Sequence, residues 1–102
     1  MHMIEETILL RNSEGKGFVI PLGMINLVGV VTKNGMVGCG AIDVAALNNF
    51  AYAAAKVRPV TGTSIATIDD ILSGEIKESN DAARKYGIIP GMTGKAALDL
   101  LS

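Results

Sequence analysis

A long stretch with almost no charge constrains this chain more than any other feature of its sequence. Between Gly17 and Ala55 only Lys33 and Asp43 are charged, and the other 17 of the 19 charged residues lie outside that span. A small domain has a high ratio of surface to volume, so a span of this length should meet water often. The sequence therefore predicts that the span is all core, or that part of it faces another subunit.

The span is too short and too interrupted to cross a membrane as a helix. Its longest uncharged run, 17–32, has 16 residues, fewer than the ~20 that a bilayer requires. The N-terminus is acidic where a signal peptide would need a basic region. We therefore expect a cytoplasmic protein with no membrane partner, in which a lone thiol stays reduced.

Composition excludes several further classes of function. With 49% hydrophobic and 19% charged residues, the chain does not have the composition of a disordered protein. A formal charge of −1 gives no positive excess to attract nucleic acid. The single cysteine, Cys39, rules out an internal disulfide and multi-cysteine zinc sites, and we expect no metal and no cofactor. The 102 residues contain no linker or repeat, which predicts one domain over 1–102.

The N-terminal part, about 3–42, has the pattern of β-strands joined by short turns. The β-branched and apolar runs predict strands over 4–10, 18–22, 26–32 and 36–41. Asn34-Gly35 is the strongest short hairpin signal, because both residues accept positive φ. Short turns predict antiparallel neighbours rather than βαβ crossovers.

The part from about 43 to 102 has the pattern of helices. Asp43 is a good N-cap, and the apolar stripe that follows predicts a helix over 44–57 that Pro59 terminates. Capping residues and turns then predict the remaining elements: a strand over 60–66, a helix capped by Thr67, a strand over 75–78, a helix over 80–86 and a helix capped by Thr93.

The first motif that could carry chemistry is Gly38-Cys39-Gly40, at the junction between a strand and the helix capped by Asp43. One interpretation is a thiolate near the positive end of a helix, with glycines that admit a ligand to the backbone. The other, which we favour, is a buried small residue in a tight junction, since free cysteine is among the most buried residue types. Cys39 is therefore the candidate catalytic residue, with Gly40 and Asp43 as ligand-binding candidates.

A reactive Cys39 would lack the usual partner. The sequence contains no histidine other than His2, so no Cys–His pair is expected. Activation would depend on the helix dipole or on a cation such as Arg58 or Lys95.

The second motif is 90–95, Pro-Gly-Met-Thr-Gly-Lys, which is superficially similar to a phosphate loop. It lacks the glycine five residues before the Gly-Lys pair and the hydroxyl residue after the lysine, since Ile89 and Ala96 occupy those positions. A glycine-rich helix N-terminus with a cation could still hold a carboxylate or phosphate. A turn followed by an ordinary capped helix is the simpler interpretation, and Thr93, Gly94 and Lys95 are kept as ligand-binding candidates.

At three places the chain resembles the YunC-like family, an uncharacterised bacterial and archaeal domain family. The segment from Gly35 to Asn48, which contains Cys-Gly-Ala-Ile-Asp-Val-Ala-Ala-Leu-Asn, is similar to the family's core motif, and the likeness continues at 67–72. At 87–98, Gly-Met-Thr-Gly-Lys-Ala-Ala-Leu is similar to the family's second motif. The resemblance extends from Ile4 to Leu101.

The resemblance implies an α+β fold: a two-layer sandwich with a mainly antiparallel N-terminal sheet and helices packed on one face. It also implies that the β-rich N-terminal part forms a tetramer. It implies no activity and no site residues.

Two hypotheses of function follow. The first is a non-catalytic or metabolite-sensing homo-oligomer of the cytoplasm. The second is a small enzyme, or a site for an anionic metabolite, that uses Cys39 and the helix N-termini after Asp43 and Thr93. The second hypothesis loses its site if Cys39 and the Gly94 amide lie on opposite sides of the monomer and no oligomer contact reunites them.

The run 27–31 also predicts self-association. It is apolar without alternation, so both faces of that strand should be covered, whereas the helices should cover one. A sheet from a second copy would cover the other face, in a closed dimer or, following the resemblance, a tetramer. A charge at whichever of Val28 and Val30 faces the partner should then dissociate the assembly.

Overall fold

A computed structural model of the chain describes residues 2–62 and 64–102, and over these residues it shows one six-stranded sheet with four helices. The strands are β1 (Ile4–Leu9), β2 (Glu14–Pro21), β3 (Asn26–Val31), β4 (Gly35–Gly38), β5 (Ala53–Arg58) and β6 (Glu75–Ser79). The helices are α1 (Val44–Asn48), α2 (Ile68–Ser73), α3 (Asp81–Arg84) and α4 (Gly94–Leu101). The strands lie side by side in chain order, and each neighbouring pair is antiparallel except β4 and β5. The α+β class and the mainly antiparallel sheet are thus confirmed.

The first four strands form a meander. The predicted turn at Asn34-Gly35 joins β3 to β4, and the Thr32 N–H donates to the Gly35 carbonyl oxygen at 2.8 Å. β2 begins at Glu14, earlier than predicted, because its first glycines serve packing rather than turning. A Cβ on Gly17 would lie 2.7 Å from Cδ1 of Ile68, so the missing side chain lets α2 approach the sheet.

The predicted helix over 44–57 is wrong beyond Asn48. α1 ends there, Ala51 adopts a positive φ of 55°, and the chain returns as β5, parallel to β4. Ala53, Ala54 and Ala55 are buried in this central strand, where tight packing on both sides outweighs the preference of alanine for helices. The unit β4-α1-β5 is therefore a parallel crossover, which the predicted single helix leaves out, whereas the strands joined by short turns are antiparallel as predicted.

The main core lies between the sheet and the helices α2, α3 and α4. Side chains that are fully buried there come from alternate strand positions and from the inner helix faces, among them Val28, Val30, Val37, Ile71 and Leu98. The short α1 packs on the other face, over β4 and β5, in a small cluster of Met36, Val44 and Ala54. The helices α2, α3 and α4 thus contact the strands from β2 to β6, and α1 covers part of the other face.

The outer face of the first three strands remains partly apolar and exposed. Val28 and Val30 are both in the core, whereas Val31 is 39% exposed on the opposite face. Gly29, which lies between Val28 and Val30, is covered by the side chain of Phe18. The Cζ atom of Phe18 lies 2.8 Å from the position that a Cβ on Gly29 would occupy. A charge at Val28 or Val30 would therefore disrupt the monomer core, and Val31 is the position that tests association.

The later elements largely follow the prediction. Thr67 caps α2 with the predicted capping box, Asn80 caps α3, and Thr93 caps α4. The predicted strand over 60–66 is not formed at 60–62 or 64–66, and Thr63 lies outside the described residues. In the described ranges no helix is long and apolar enough to span a bilayer.

Candidate functional site

A pocket of about 310 Å³ lies at the carboxyl ends of the parallel strands β4 and β5. Its lining comes from the residues that follow β4, the end of β5, the start of β3, the segment before α2, and β6. The lining residues are Ile25, Asn26, Cys39, Gly40, Ala41, Val57, Arg58, Pro59, Ser64, Ile65 and Lys77. Chains that leave neighbouring parallel strands in different directions open a cleft between them, which is where open α/β sheets bind ligands. The β4-α1-β5 crossover, which the sequence does not predict, thus positions the pocket.

Cys39 forms part of the pocket wall in a tightly built junction. Its side chain is 5% exposed, its N–H donates to the Val28 carbonyl oxygen at 3.0 Å, and its own carbonyl accepts from Ile42 at 3.1 Å. Gly38 is required just before it, because a Cβ there would lie 2.3 Å from Cγ1 of Ile42. The backbone of Cys39 is therefore fixed by hydrogen bonds on both sides, and the residue is buried in the pocket wall.

Gly40 has the opposite environment to Gly38. No atom lies within 4 Å of the position that its Cβ would occupy, and the residue is exposed at the pocket wall. A ligand can therefore approach the backbone at Gly40. The next candidate, Asp43, lies outside the pocket lining and uses its carboxylate to cap α1, accepting from the Ala46 N–H at 2.9 Å.

Two cations also line the pocket. Arg58, at the end of β5, pairs with Glu75 at 2.7 Å. Lys77 lies at a register shift between β5 and β6: Lys56 pairs with Glu78 and Val57 with Ile76, which leaves Lys77 without an opposite residue. Sequence reasoning named Arg58 as a possible cation near the thiol but missed Lys77, because no residue type marks a bulge of this kind.

The segment before α2 closes one side of the pocket. The Asn26 side-chain amide donates to the Ala66 carbonyl at 2.9 Å, and Ile65 is buried beside it. The Asp70 carboxylate accepts from the backbone N–H groups of Ala66 and Thr67 at 2.9 and 3.0 Å. The hydrogen bond from Ala66 is the main reason that the pKa of Asp70 lies below its ordinary value.

The motif at 93–95 does not contribute to this pocket. The Gly94 N–H donates to the Gly74 carbonyl at 3.0 Å, and a Cβ on Gly94 would lie 1.9 Å from the Ile71 carbonyl oxygen. Thr93 caps α4, accepting from Ala96 at 3.1 Å, and Lys95 pairs with Asp99 at 2.8 Å. The structure therefore brings Cys39 and Gly40 together with Arg58, whereas Thr93, Gly94 and Lys95 lie outside this pocket, with Gly94 buried and the other two exposed.

The described lining residues include no carboxylate and no imidazole. Within residues 2–62 and 64–102, no three His, Cys, Asp or Glu side chains come together as a metal site requires. The pocket therefore offers an apolar wall, a thiol and two cations, which is the chemistry of anion binding more than of proton transfer.

Three similarities to known proteins bear on this site. Residues 38–101 match the model of a domain of unknown function, DUF1805. The chain is 33% identical over 91 residues to the uncharacterized protein YunC of Bacillus subtilis (strain 168), covering 83% of this chain and 86% of that protein. It also superposes with a TM-score of 0.87 and 26% identity on the crystal structure of TA1206, a protein of unknown function from Thermoplasma acidophilum, over 99% of this chain and 94% of that one.

Proposed function

We propose that this chain, which belongs to the DUF1805 family of domains of unknown function, binds a small anionic metabolite. Its site is the pocket at the carboxyl ends of β4 and β5. One observation carries the proposal: Gly40 opens the backbone to a pocket that two cations, Arg58 and Lys77, also line. Such a mainly apolar cleft with a few converging polar groups is typical of small-molecule sites.

The chemistry of the lining favours binding or sensing over catalysis. A cysteine nucleophile needs a base or a lowered pKa, and the described lining residues include no histidine, aspartate or glutamate that could take its proton. The thiol of Cys39 also has little exposed surface. We therefore assign Cys39 to the pocket wall. A ligand-binding role for Thr93, Gly94 and Lys95 remains a prediction, since none of these three residues lines the pocket at the ends of β4 and β5.

We further propose that the protein works in the cytoplasm as a homo-oligomer, a dimer or a tetramer, joined through its N-terminal strands. The support is the apolar surface of that region: Val31 on the outer face of β3, and Leu22, Met24 and Ile25 at the tip between β2 and β3, are all exposed. Leu22, Met24 and Ile25 form an exposed apolar turn, Val31 lies at the other end of β3, and exposed apolar patches are typical of interfaces. Because Ile25 also lines the pocket, assembly and ligand binding would share one hairpin.

The binding proposal is tested by blocking the pocket without disturbing the core. A thermal-shift screen of cellular metabolites should find at least one anion that raises the Tm of the wild-type protein and leaves that of Gly40→Leu unchanged. A side chain can begin at position 40 without a clash because its Cβ meets no atom within 4 Å. Ala46→Leu, on the exposed surface of α1 and outside the pocket, is the matched control and should respond as the wild type does. A screen without any stabilising anion, or equal stabilisation of Gly40→Leu, would remove the site.

The assembly proposal is tested by light scattering at micromolar concentration. We expect a dimer or tetramer mass for the wild type and a lower mass for Val31→Lys. Val60→Lys adds the same charge at an exposed valine outside the strands, and its mass should not change. A monomer mass for the wild type would show that the exposed apolar face is not a self-association surface.

A further inference from the structure

We infer that the ligand is an aliphatic monocarboxylate, whose carboxylate lies between Arg58 and Lys77 and whose hydrocarbon chain lies along Ile65 and Cys39. The inference rests on the proposed function and specifies it, since it names one class of anion and its orientation. Three features carry it: how Lys77 reaches the pocket, the net charge beside it, and the apolar character of the remaining wall.

The register shift in β6 is what brings Lys77 to the pocket. Ile76 and Ser79 are both buried toward the core, so two residues, Lys77 and Glu78, lie where regular alternation would leave one. A bulge of this kind re-aims a side chain and is common beside functional sites. Glu78 keeps the regular pairing and forms an ion pair with Lys56 at 3.4 Å. Lys77 is the extra residue, and within the described residues it forms no ion pair.

The net charge at this rim matches a single negative charge. Arg58 and Lys77 supply two positive charges, and Glu75, paired with Arg58 at 2.7 Å, supplies one negative charge. One positive charge is left over, that of Lys77. A carboxylate carries one charge, whereas a phosphate monoester carries about 1.5 to 2 at neutral pH and would leave part of its charge without a partner. The carboxylate can also take a hydrogen bond from the exposed side of the Arg58 guanidinium.

Away from Arg58 and Lys77 the pocket is mainly apolar, and Asn26 and Ser64 are the other polar residues of its described lining. Ile25, Val57, Ile65 and the thiol of Cys39 supply its wall, and Asn26 already donates its side-chain amide to Ala66. The volume of about 310 Å³ is at the lower end of ligand pockets, which run from about 300 to 1,000 Å³. A short hydrocarbon chain fills such a space, whereas a sugar or nucleotide would leave many hydroxyl groups without partners.

The test is isothermal titration with a homologous series of probes. Butyrate, pentanoate and hexanoate should bind with rising affinity, by about fourfold for each added methylene, until the pocket is full. Hexan-1-ol, which has the same chain without the charge, should bind about tenfold more weakly than hexanoate, and so should succinate and inorganic phosphate. Lys77→Met should lower hexanoate affinity about tenfold while leaving hexan-1-ol unaffected. Lys85→Met, an exposed lysine outside the pocket, should change neither.

The outcomes separate this inference from the proposed function. If hexan-1-ol binds as well as hexanoate, and Gly40→Leu abolishes both, the pocket is a ligand site but not a carboxylate site. If phosphate or succinate binds more tightly than hexanoate, the count of one net charge is wrong. If none of the probes binds, the monocarboxylate assignment fails, while the metabolite screen on wild type and Gly40→Leu still decides whether the pocket holds another anion.

Discussion

Two glycine-containing motifs precede helices in this chain, and their surroundings are opposite. At 38–40 the second glycine faces a pocket, with no atom within 4 Å of the position of a Cβ. At 91–94 the second glycine is buried, and a Cβ would lie 1.9 Å from the carbonyl oxygen of Ile71. Both have the residue types that suggest an anion site at a helix N-terminus. The difference shows that such a glycine marks either an open cleft or a close packing contact, depending on what lies opposite.

The largest expected effect comes from adding one methyl group at each motif. Gly94→Ala places a Cβ against backbone that cannot move without displacing α2, and it should lower the free energy of unfolding by about 3 kcal/mol or more. Gly40→Ala should change it by no more than about 0.5 kcal/mol. Urea denaturation of both variants measures the difference. Similar losses at the two positions would mean that the two glycines do not differ as described.

A smaller effect is expected from removing the helix N-cap that lies at or next to each glycine motif, Asp43 or Thr93. Thr93→Ala removes the hydrogen bond to Ala96 from a helix whose inner face is buried, and it should lower global stability by about 1 kcal/mol. Asp43→Ala removes the hydrogen bond to Ala46 from the five-residue α1. Because α1 can fray while the sheet stays folded, Asp43→Ala should lower the global stability by about half as much as Thr93→Ala does.

Hydrogen exchange distinguishes the two caps further. The Asp43→Ala variant should exchange faster in α1 alone, whereas Thr93→Ala should exchange faster throughout the core. An equal and global change in both variants would place α1 within the cooperative core instead.

The smallest expected effect is a pH dependence at the packed motif. Burial alone raises the pKa of Asp99, but hydrogen bonds from Lys95 and the Arg11 N–H, together with their positive charges, lower it overall. A carboxylate whose pKa is lower in the folded state stabilises the fold above its unfolded value of about 3.9, and this stabilisation is lost as the pH falls through the folded value. When the pH falls below about 4, Asp99→Asn should therefore lose less free energy of unfolding than the wild type does. Urea denaturation of both proteins at pH 7 and pH 3 measures this difference. Parallel losses in the two proteins would contradict a folded-state shift at Asp99.

The sequence predicts the elements that local chemistry determines. The turn at Asn34-Gly35, the caps at Thr67 and Thr93 and the short strand after Gly74 all depend on residues close in the chain. The alanines at 53–55 mislead because their preference for helices is local, whereas their position in a central strand depends on close packing by both sheet faces. The sequence therefore predicts one helix over 44–57, whereas the chain forms the short helix α1, a reversal and the strand β5.

The site is less predictable than the fold for the same reason. Cys39 and Gly40 are marked by their motif and do line the pocket. Lys77 and Ile65 carry no local mark, since a register shift and a crossover place them there. The clue available in the sequence is Lys77 itself, a lysine two residues before the end of a short strand, and many solvent-exposed lysines fit that description.

The strand order, which repeats the order of the chain, bears on how quickly such a sheet can form. Every strand after β1 pairs with the one synthesised just before it, and the connections within β1 to β4 are short turns, so the loop-closure entropy of these pairings stays small. Contacts between residues distant in sequence join the helices to this sheet; in one of them the Leu101 carbonyl accepts from the Thr32 hydroxyl at 3.1 Å across 69 positions of sequence. Folds dominated by neighbouring pairings form faster than β-rich folds with long-range pairings. We therefore expect the N-terminal hairpins to pair early, which would shorten the time in which an unpaired edge could meet the wrong chain.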